Sequence, residues 1–381
     1  MPSPKTAVTH SSVCMLVTSD LHLDPRVQKE AKSASDAGFD VTVVCRSYTG
    51  TPLPYKVIQF AAKRRTSRLA KLVERTLSNL EMIRIATVMR PDIVHANDLD
   101  TLPAGYLISR LTGAKLVYDS HEYWPEAGRD IGRAKKIVGY LESFLIRRCN
   151  ATVTVNRLIA EMLAERYKIP LPTVVMNAPL SVNSSEDENN LESVGIQTVQ
   201  VLHLGMFHRN RGLEDVVRSA RYMDSNIHLT FIGSGDVEQD LRSIATVEGL
   251  EDKVSFLPPV ASNQVVSTAS RYDIGLIMYL PHNLNNQLAS PNKLFEYVMA
   301  GLALVAPDLP IFREVVNTHQ VGVLCEPGNP VAIAAAVNQI ARDPETMAAM
   351  KRRSLVARKS YTWDSEGEKL LKVYRQLLLP T

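Results

Sequence analysis

Two series of short apolar runs alternate with helix-length stretches along this chain, separated by one polar interval, and this pattern narrows the fold more than any other feature. Val13–Thr18, Val41–Cys45, Ile93–His95, Lys115–Tyr118 and Thr152–Val155 read as strands of the first series. They are nearly continuous in apolar residues, as strands covered on both faces must be. Between them, Asp24 is expected to cap a helix that begins at Pro25 and is ended by Gly38. A long helical region is expected from about Arg65 to Arg90, closed by Pro91, with others near Leu99–Leu111 and Ile137–Arg148. Leu180–Gln197 is rich in Ser, Asn and Glu and reads as a linker or exposed loop. The alternation then restarts with strands near Val199–Leu204, His228–Ile232, Val254–Phe256, Ile274–Met278, Leu302–Ala306 and Val321–Leu324. Helices near Pro330–Ala341, Glu345–Lys359 and Asp364–Leu378 close the chain. Alternation of this kind predicts an α/β protein whose parallel sheets are doubly wound. The expected organisation is two Rossmann-like domains facing a central cleft, 1–180 and 199–360. A linker at 181–198 joins them, and a terminal helix at 361–381 returns toward the N-terminal domain.

Composition removes several classes. A chain of 381 residues, 45% hydrophobic and 22% charged, can build two cores and needs no staple. Its net charge of +3 leaves attraction to anionic partners to local patches, and with no recognisable module it disfavours nucleic acid. No run is apolar and long enough to span a bilayer, and the first dozen residues lack a signal peptide's apolar segment, so a cytoplasmic location is expected. Cys14, Cys45, Cys149 and Cys325 lie far apart, mostly in apolar strands, and read as reduced buried thiols.

The stretch from Ser290 to Gly301 carries the chemistry. It reads as a short helix with Ser290 at the N-cap, Pro291 at the first helical position and Gly301 as its stop. Leu294, Phe295, Val298 and Met299 form a core-facing stripe, and Lys293 and Glu296 share the other face. A lysine in the first turn conflicts with the helix dipole unless an anion binds there. A phosphate would remove the conflict, and Glu296 could accept hydrogen bonds from sugar hydroxyls. The pair also reads as an exposed Lys–Glu contact on an ordinary surface helix.

Ligands of open parallel sheets lie beyond the carboxyl ends of the strands. Four segments are therefore expected at the cleft: Ser19 to Arg26, Tyr118 to Trp124, Leu204 to Gly212, and the helix from Pro291. The third offers Arg209 and Arg211, whose forked guanidinium groups suit a diphosphate. They read equally as solvated turn residues.

Asp24-Pro25-Arg26-Val27-Gln28-Lys29-Glu30-Ala31, Asp92-Ile93-Val94-His95-Ala96-Asn97-Asp98 and Tyr118-Asp119-Ser120-His121-Glu122 together resemble the N-terminal half of the retaining glycosyltransferases of family 4. Gly205 to Gly212, Ile232-Gly233-Ser234-Gly235 and Pro291 to Gly301 resemble that family's C-terminal half, and the likeness runs from about Val13 to Asp343. The resemblance implies the GT-B fold and transfer of a sugar from a nucleoside-diphosphate donor to an acceptor hydroxyl, with retention and without a metal or other cofactor. It places Arg211 on the donor diphosphate, Ser290, Asn292 and Lys293 at the phosphate-cradling helix start, and Glu296 on the ribose. His121 becomes the active-site histidine that contacts the transferred sugar.

Two positions depart from that pattern. The first glutamate of the family's pair is Leu288 here, leaving Asn285, Asn286 or Gln287 as nearby substitutes. The arginine expected directly after Gly205 is Met206, with Arg209 as its candidate replacement. The departures keep open a catalytically inactive partner subunit, and the shared architecture keeps open a nucleotide-sugar 2-epimerase.

Other motifs are discounted. Asp98-Leu99-Asp100 has a metal-binding form but follows a strand and opens a helix, so a cap or first-turn acid is the simpler reading. Gly233-Ser234-Gly235 lacks the third glycine of a dinucleotide fingerprint. His22, His203, His208 and His282 have no metal-ligand spacing and read as structural or solvated. On the acceptor side, the basic amphipathic stretch at 63–75, with Arg133, Lys135, Lys136, Arg147 and Arg148, could rest on anionic lipid at the inner face of the membrane or be a solvated helix face. The family resemblance adds a lipid-linked acceptor as a candidate substrate.

Overall fold

A computed structural model describes residues 11–60, 68–123, 132–181 and 198–380, with side chains at 68–72, 75 and 132–136 left out. Most of the expected linker, residues 63–67 of the basic stretch, Trp124, and the side chains of Arg133, Lys135 and Lys136 lie outside the described residues. The chain divides into two compact units, 1–176 with 365–381, and 177–364.

The first unit holds strands β1 (Ser12–Leu16), β2 (Asp40–Cys45), β3 (Lys56–Gln59), β4 (Ile93–Asn97), β5 (Lys115–Ser120), β6 (Ala151–Thr154) and β7 (Thr173–Val174). They form one parallel sheet in the order β3-β2-β1-β4-β5-β6-β7. Helices α1 (Pro25–Asp36), α2 (Arg68–Met89), α3 (Leu102–Thr112), α4 (Gly132–Ile146) and α5 (Arg157–Tyr167) make the crossovers. The second unit has β8 (Val199–Leu204), β9 (Ile227–Ile232), β10 (Val254–Leu257), β11 (Ile274–Leu276), β12 (Ala303–Pro307) and β13 (Gly322–Cys325). Its sheet is parallel in the order β10-β9-β8-β11-β12-β13. Its helices are α6 (Leu213–Ser219), α7 (Glu238–Val247), α8 (Val265–Ala269), α9 (Leu284–Gln287), α10 (Asn292–Met299), α11 (Pro310–His319), α12 (Pro330–Ala341) and α13 (Pro344–Ala357), followed by α14 (Trp363–Leu377).

Each expected strand is present within a residue or two of its place. The expectation passed over β3, β7 and α5: the two strands are partly exposed edges with little apolar content, and α5 follows its strand after only two residues. The continuous apolar runs reflect position: every residue of β4 and β12 is buried, because both strands are covered on two faces. Helix ends follow local chemistry. The Asp24 carboxylate accepts the Val27 N–H at 3.2 Å, and Gly38 leaves α1 at φ +91°. The four cysteines are free thiols, three of them buried, and burial pushes Cys14 up to about 12.

Two features of topology locate the sites. In the first sheet the order reverses between β1 and β4, and in the second between β8 and β11. Loops beyond the carboxyl ends at such reversals part to opposite sides and leave a crevice. The body of α14 packs into the first unit, where buried Tyr374 lies 2.5 Å from His95 Nδ1 and edge-on to Phe39. The Glu366 carboxylate accepts the Met176 N–H at 2.9 Å. Truncating Tyr374 would empty a large buried site, so Tyr374→Ala is expected to lose about 3–5 kcal/mol of unfolding free energy, and Tyr374→Phe about 1 kcal/mol, in denaturant melts. Equal losses from the two variants would contradict this placement.

Candidate active site

In the second unit a cavity of ≈ 500 Å³ opens at the β8–β11 reversal. Its floor is the turn after β8, where Gly205 and Gly233 cross. Gly205 has φ +129° and Gly233 φ +151°, and a Cβ on Gly233 would fall 1.9 Å from the Gly205 carbonyl oxygen. Only glycine permits both the backbone angles and the contact. Pro259, Val260 and Val265 give an apolar wall on one side, and Pro291, Asn292, Lys293 and Glu296 of the α10 start form the other.

The α10 helix differs from expectation at its first residue. Pro291, not Ser290, holds the N-cap position, with ψ 145°, and no side chain caps the helix. Its extended ψ excludes Pro291 from the first turn, and the residue before a proline is itself pushed away from helical angles. Ser290 is half-buried and does not form part of the cavity wall. The stop is as expected, with Gly301 at φ +76°. The buried stripe of Leu294, Phe295, Val298 and Met299 gains Tyr297, whose hydroxyl accepts the Leu204 N–H at 2.7 Å and donates to the Leu202 carbonyl at 3.3 Å. Gly275 makes room for that ring, since a Cβ there would meet it at 2.3 Å. One turn beyond Lys293, α10 is thus tied to the end of β8.

Lys293 is not on an exposed face. It is half-buried, and its Nζ donates to His203 Nε2 at 3.2 Å. His203 is fully enclosed, and its other nitrogen, Nδ1, lies 3.1 Å from the Leu276 carbonyl oxygen. A carbonyl can only accept, so Nδ1 carries the proton and Nε2 presents a lone pair to the lysine. Burial, and then the lysine charge, keep His203 well below the usual imidazole range. Burial first and the Arg211 charge second bring Lys293 down to about 7, against an opposing pull from Glu296. Of the four histidines read as structural or solvated, His22, His208 and His282 are exposed and His203 is structural. A histidine flanked by Leu202 and Leu204 in a largely apolar strand was the available signal for it.

The remaining candidates divide. Arg211 stacks on Tyr279 with its guanidinium carbon 4.1 Å from the ring centroid, and Tyr279 lines the cavity. Arg209 pairs with Asp240 at 3.3 Å, both exposed, and forms no part of the wall. Asn292 lines the cavity, and its side-chain oxygen accepts from Asn177 at 2.8 Å. Met206 lines it too, largely exposed, whereas Leu288 is buried as an apolar residue. The Asn286 amide is spent on the Leu280 carbonyl and that of Gln287 on the Pro281 carbonyl.

In the first unit, His121 follows β5 and lies between two carboxylates. Its Nδ1 is 3.4 Å from Asp98 and its Nε2 3.2 Å from Asp119. Burial opposes the charged ring, but Asp98 and Asp119 outweigh it and hold His121 well above the ordinary histidine range. Parallel pairing of β4 with β5 sets Asn97 beside Asp119, which carries Asp98 to the His121 end of the neighbouring strand. The expectation that Asp98 or Asp100 caps a helix is corrected: α3 begins at Leu102, with Thr101 at its N-cap position. Asp98 instead takes the left-handed φ of +65° and accepts the His121 N–H, while Asp100 accepts the Thr18 hydroxyl. Beneath them Arg26 donates to Asp119 at 2.7 Å and to the Val175 carbonyl at 2.8 Å, and pairs with Glu30 at 2.9 Å. Burial raises Glu30 well above the carboxylate range, whereas Arg26 and His121 overcome burial and hold Asp119 well below it. Glu30, His95 and Asp119 bring ligand-capable atoms within 4.8 Å of one another, but the Arg26 guanidinium already supplies the positive charge there.

A charged state above the unfolded value stabilises the fold fully below about pH 6.5, and that contribution fades as pH rises through the raised value. His121 is therefore expected to remain imidazolium at pH 7.5 in ¹⁵N-detected spectra, with Asp98→Asn lowering its midpoint by about 1 pH unit or more. An unchanged midpoint in the variant would refute the clamp.

The description Glycosyltransferase Family 4 matches residues 26–178, and Glycosyl transferases group 1 matches 187–355. Glycogen synthase from Mycobacterium tuberculosis is 23% identical over 301 residues, covering 76% of this chain and 69% of the relative. The phosphatidyl-myo-inositol mannosyltransferase of Mycobacterium leprae is 26% identical over 227 residues, 58% of this chain and 59% of that one. Among solved structures, sucrose-phosphate synthase from Thermosynechococcus elongatus superposes with TM-score 0.77 at 15% identity, over 97% of this chain and 99% of that one. Anabaena HepE, solved with UDP and glucose, superposes with TM-score 0.73 at 16% identity, over 96% of this chain and 100% of that one. Two parallel α/β sheets of this kind are the GT-B fold.

Proposed function

Because this chain belongs to the group 1 glycosyltransferases, with a family 4 N-terminal half, we infer that its cavity takes a nucleoside-diphosphate sugar and that the enzyme transfers the sugar to an acceptor hydroxyl with retention. The observation that carries the donor assignment is the α10 start: an uncapped helix N-terminus with Lys293 in its first turn and Arg211 beside it. Helix N–H groups and Lys293 on the cavity wall, with Arg211 stacked on the wall residue Tyr279, suit a diphosphate. We assign Lys293, Asn292 and Arg211 to the diphosphate and Glu296, one turn along, to ribose hydroxyls. Arg209 and Ser290 have no part in this reading, because Arg209 is turned to Asp240 and Ser290 precedes the N-cap of α10, whereas Arg211 stacks on the cavity residue Tyr279.

The chemistry follows from charge. As the bond from the anomeric carbon to the diphosphate oxygen breaks, negative charge grows on the leaving group, and fixed positive groups stabilise it there. The acceptor hydroxyl forms the new bond on the same face and gives its proton to the departing phosphate oxygen. His121, held as an imidazolium by Asp98 and Asp119, is assigned to the transferred sugar. No step requires a metal. HepE was solved with UDP and with UDP-glucose, which favours uridine donors as the first to try.

Saturating UDP or the correct nucleotide sugar should raise the melting temperature, by about 2.7 kcal/mol of added stability at 100 times Kd. Glu296→Ala should lose most of that shift, Lys293→Ala should lower turnover about 10²–10³-fold, and EDTA should change neither. Silence from every nucleoside diphosphate at millimolar concentration would refute the donor site.

For the acceptor we infer a lipid-linked hydroxyl reached at a membrane surface. The mannosyltransferase relative is named for a lipid, phosphatidyl-myo-inositol. No described helix is long and apolar enough to cross a membrane. However, α4 turns Ile137, Tyr140, Leu141 and Phe144 outward, with Tyr140 76% exposed, and Arg148 lies 3.5 Å from the centre of the Phe144 ring. Apolar and aromatic groups beside a cation suit the interface of an anionic bilayer. Tyr140→Ser with Phe144→Ser should reduce cosedimentation with phosphatidylglycerol vesicles several-fold without altering UDP binding. Equal sedimentation of wild type and variant would remove this surface from consideration.

A further inference from the structure

We propose that His203 is a positioning residue for the donor diphosphate: its unprotonated Nε2 holds the Lys293 side chain over the cavity floor, so that diphosphate binding is coupled to uptake of a proton by Lys293. The proposal rests on the donor reading above and adds a residue and a linkage to it. Its basis is geometric. His203 is enclosed in β8 against Phe231, at 5.4 Å between ring centres, and its tautomer is set by the Leu276 carbonyl. The one lone pair left is 3.2 Å from Lys293 Nζ. Beneath the ammonium, Gly205 has no side chain, and a Cβ there would sit 3.2 Å from Nζ. The amine is therefore confined between a buried acceptor and bare backbone at the cavity wall.

Three titratable or charged groups shape this amine: His203 from β8, Arg211 from the turn before α6, and Glu296 from α10 itself. Only Glu296 is anionic, and the depressed value of about 7 reflects burial and the nearby guanidinium outweighing it. At pH 8 such an amine is more neutral than at pH 6, where it is mostly charged. A diphosphate adds negative charge beside the amine and favours the ammonium. The balance at pH 8 is neutral amine plus diphosphate trianion plus one proton, giving the ammonium–diphosphate pair. A fixed arginine at this place would bind without any proton.

The test is titration calorimetry of the full-length protein with UDP, GDP and ADP in turn, in buffers of differing ionisation enthalpy. The slope of observed heat against buffer ionisation enthalpy counts protons. For the nucleotide that binds, wild type should take up about 1 proton at pH 8 and close to none at pH 6. Lys293→Arg should still bind but take up none at pH 8. His203→Phe should weaken binding about tenfold, and His203→Gln, which keeps an acceptor, should restore most of it; circular dichroism melts identify any variant that has merely lost its fold. Binding by wild type without proton uptake at pH 8 overturns the linkage. Unaltered uptake in Lys293→Arg assigns it to another group and overturns it too. Wild-type affinity in a folded His203→Phe overturns the positioning role. Failure of all three nucleotides to bind wild type is the separate result that refutes the donor reading itself.

Discussion

A lysine ammonium in the first turn of a helix is repelled by that helix's own dipole, and the second unit's cavity is organised around the place where this one is held. Its neighbours are arranged to accept it: the His203 lone pair at 3.2 Å, bare backbone at Gly205, and an α10 anchored by Tyr297 to the same strand end. None of these contacts supplies a full counter-charge. A few tenths to 1 kcal/mol of dipole conflict remains, together with a desolvated amine. Such strain persists only where the surrounding structure over-determines it, and here a bound anion would relieve it.

The first unit solves the opposite problem. Arg26 and His121 are set against Asp119 and Asp98, while burial raises Glu30 well above the carboxylate range, so each cation here has a carboxylate partner. Removing one member of such a set leaves an uncompensated buried charge, which typically costs about 3–5 kcal/mol. The two carboxylates thus fix the orientation of the His121 ring, which stays partly exposed. The Asp98 backbone, at φ +65°, turns the chain after β4 so that its carboxylate accepts the His121 N–H.

Most of this architecture is legible from residue pattern, because strands covered on both faces leave continuous apolar runs and helix ends leave Asp24, Pro25 and Gly38 as marks. The short edge strands β3 and β7 leave no such run. The site was half legible. Lys293 in a first turn is a local conflict that can be read directly, whereas the one-residue offset of α10 depends on the ψ of Pro291, which the sequence does not state. Arg209 and Arg211 are two residues apart and chemically alike, yet Asp240 captures one and Tyr279 the other. Likewise Asp98 reads as a cap from its spacing, and only the β4–β5 pairing brings it to His121. Contacts made across a sheet cannot be read from neighbours along the chain.

The two departures from the family pattern acquire a common physical sense. Met206 stands where the resemblance leads one to expect an arginine after the strand-end glycine, and it is mostly exposed at the cavity edge, offering no charge. Leu288 stands where a carboxylate is expected, and it is buried in the apolar interior. Losing one cation and one anion leaves the net charge of the region unchanged. In the donor reading proposed above, positive charge then comes from Lys293 and Arg211, and Glu296 is the carboxylate that remains on the cavity wall. An arginine is a permanent charge, but a desolvated lysine is charged to the degree that its surroundings favour it. With Met206 uncharged, Lys293 makes up a larger share of the positive charge here, and under the donor reading proposed above an anionic occupant would favour its charged form.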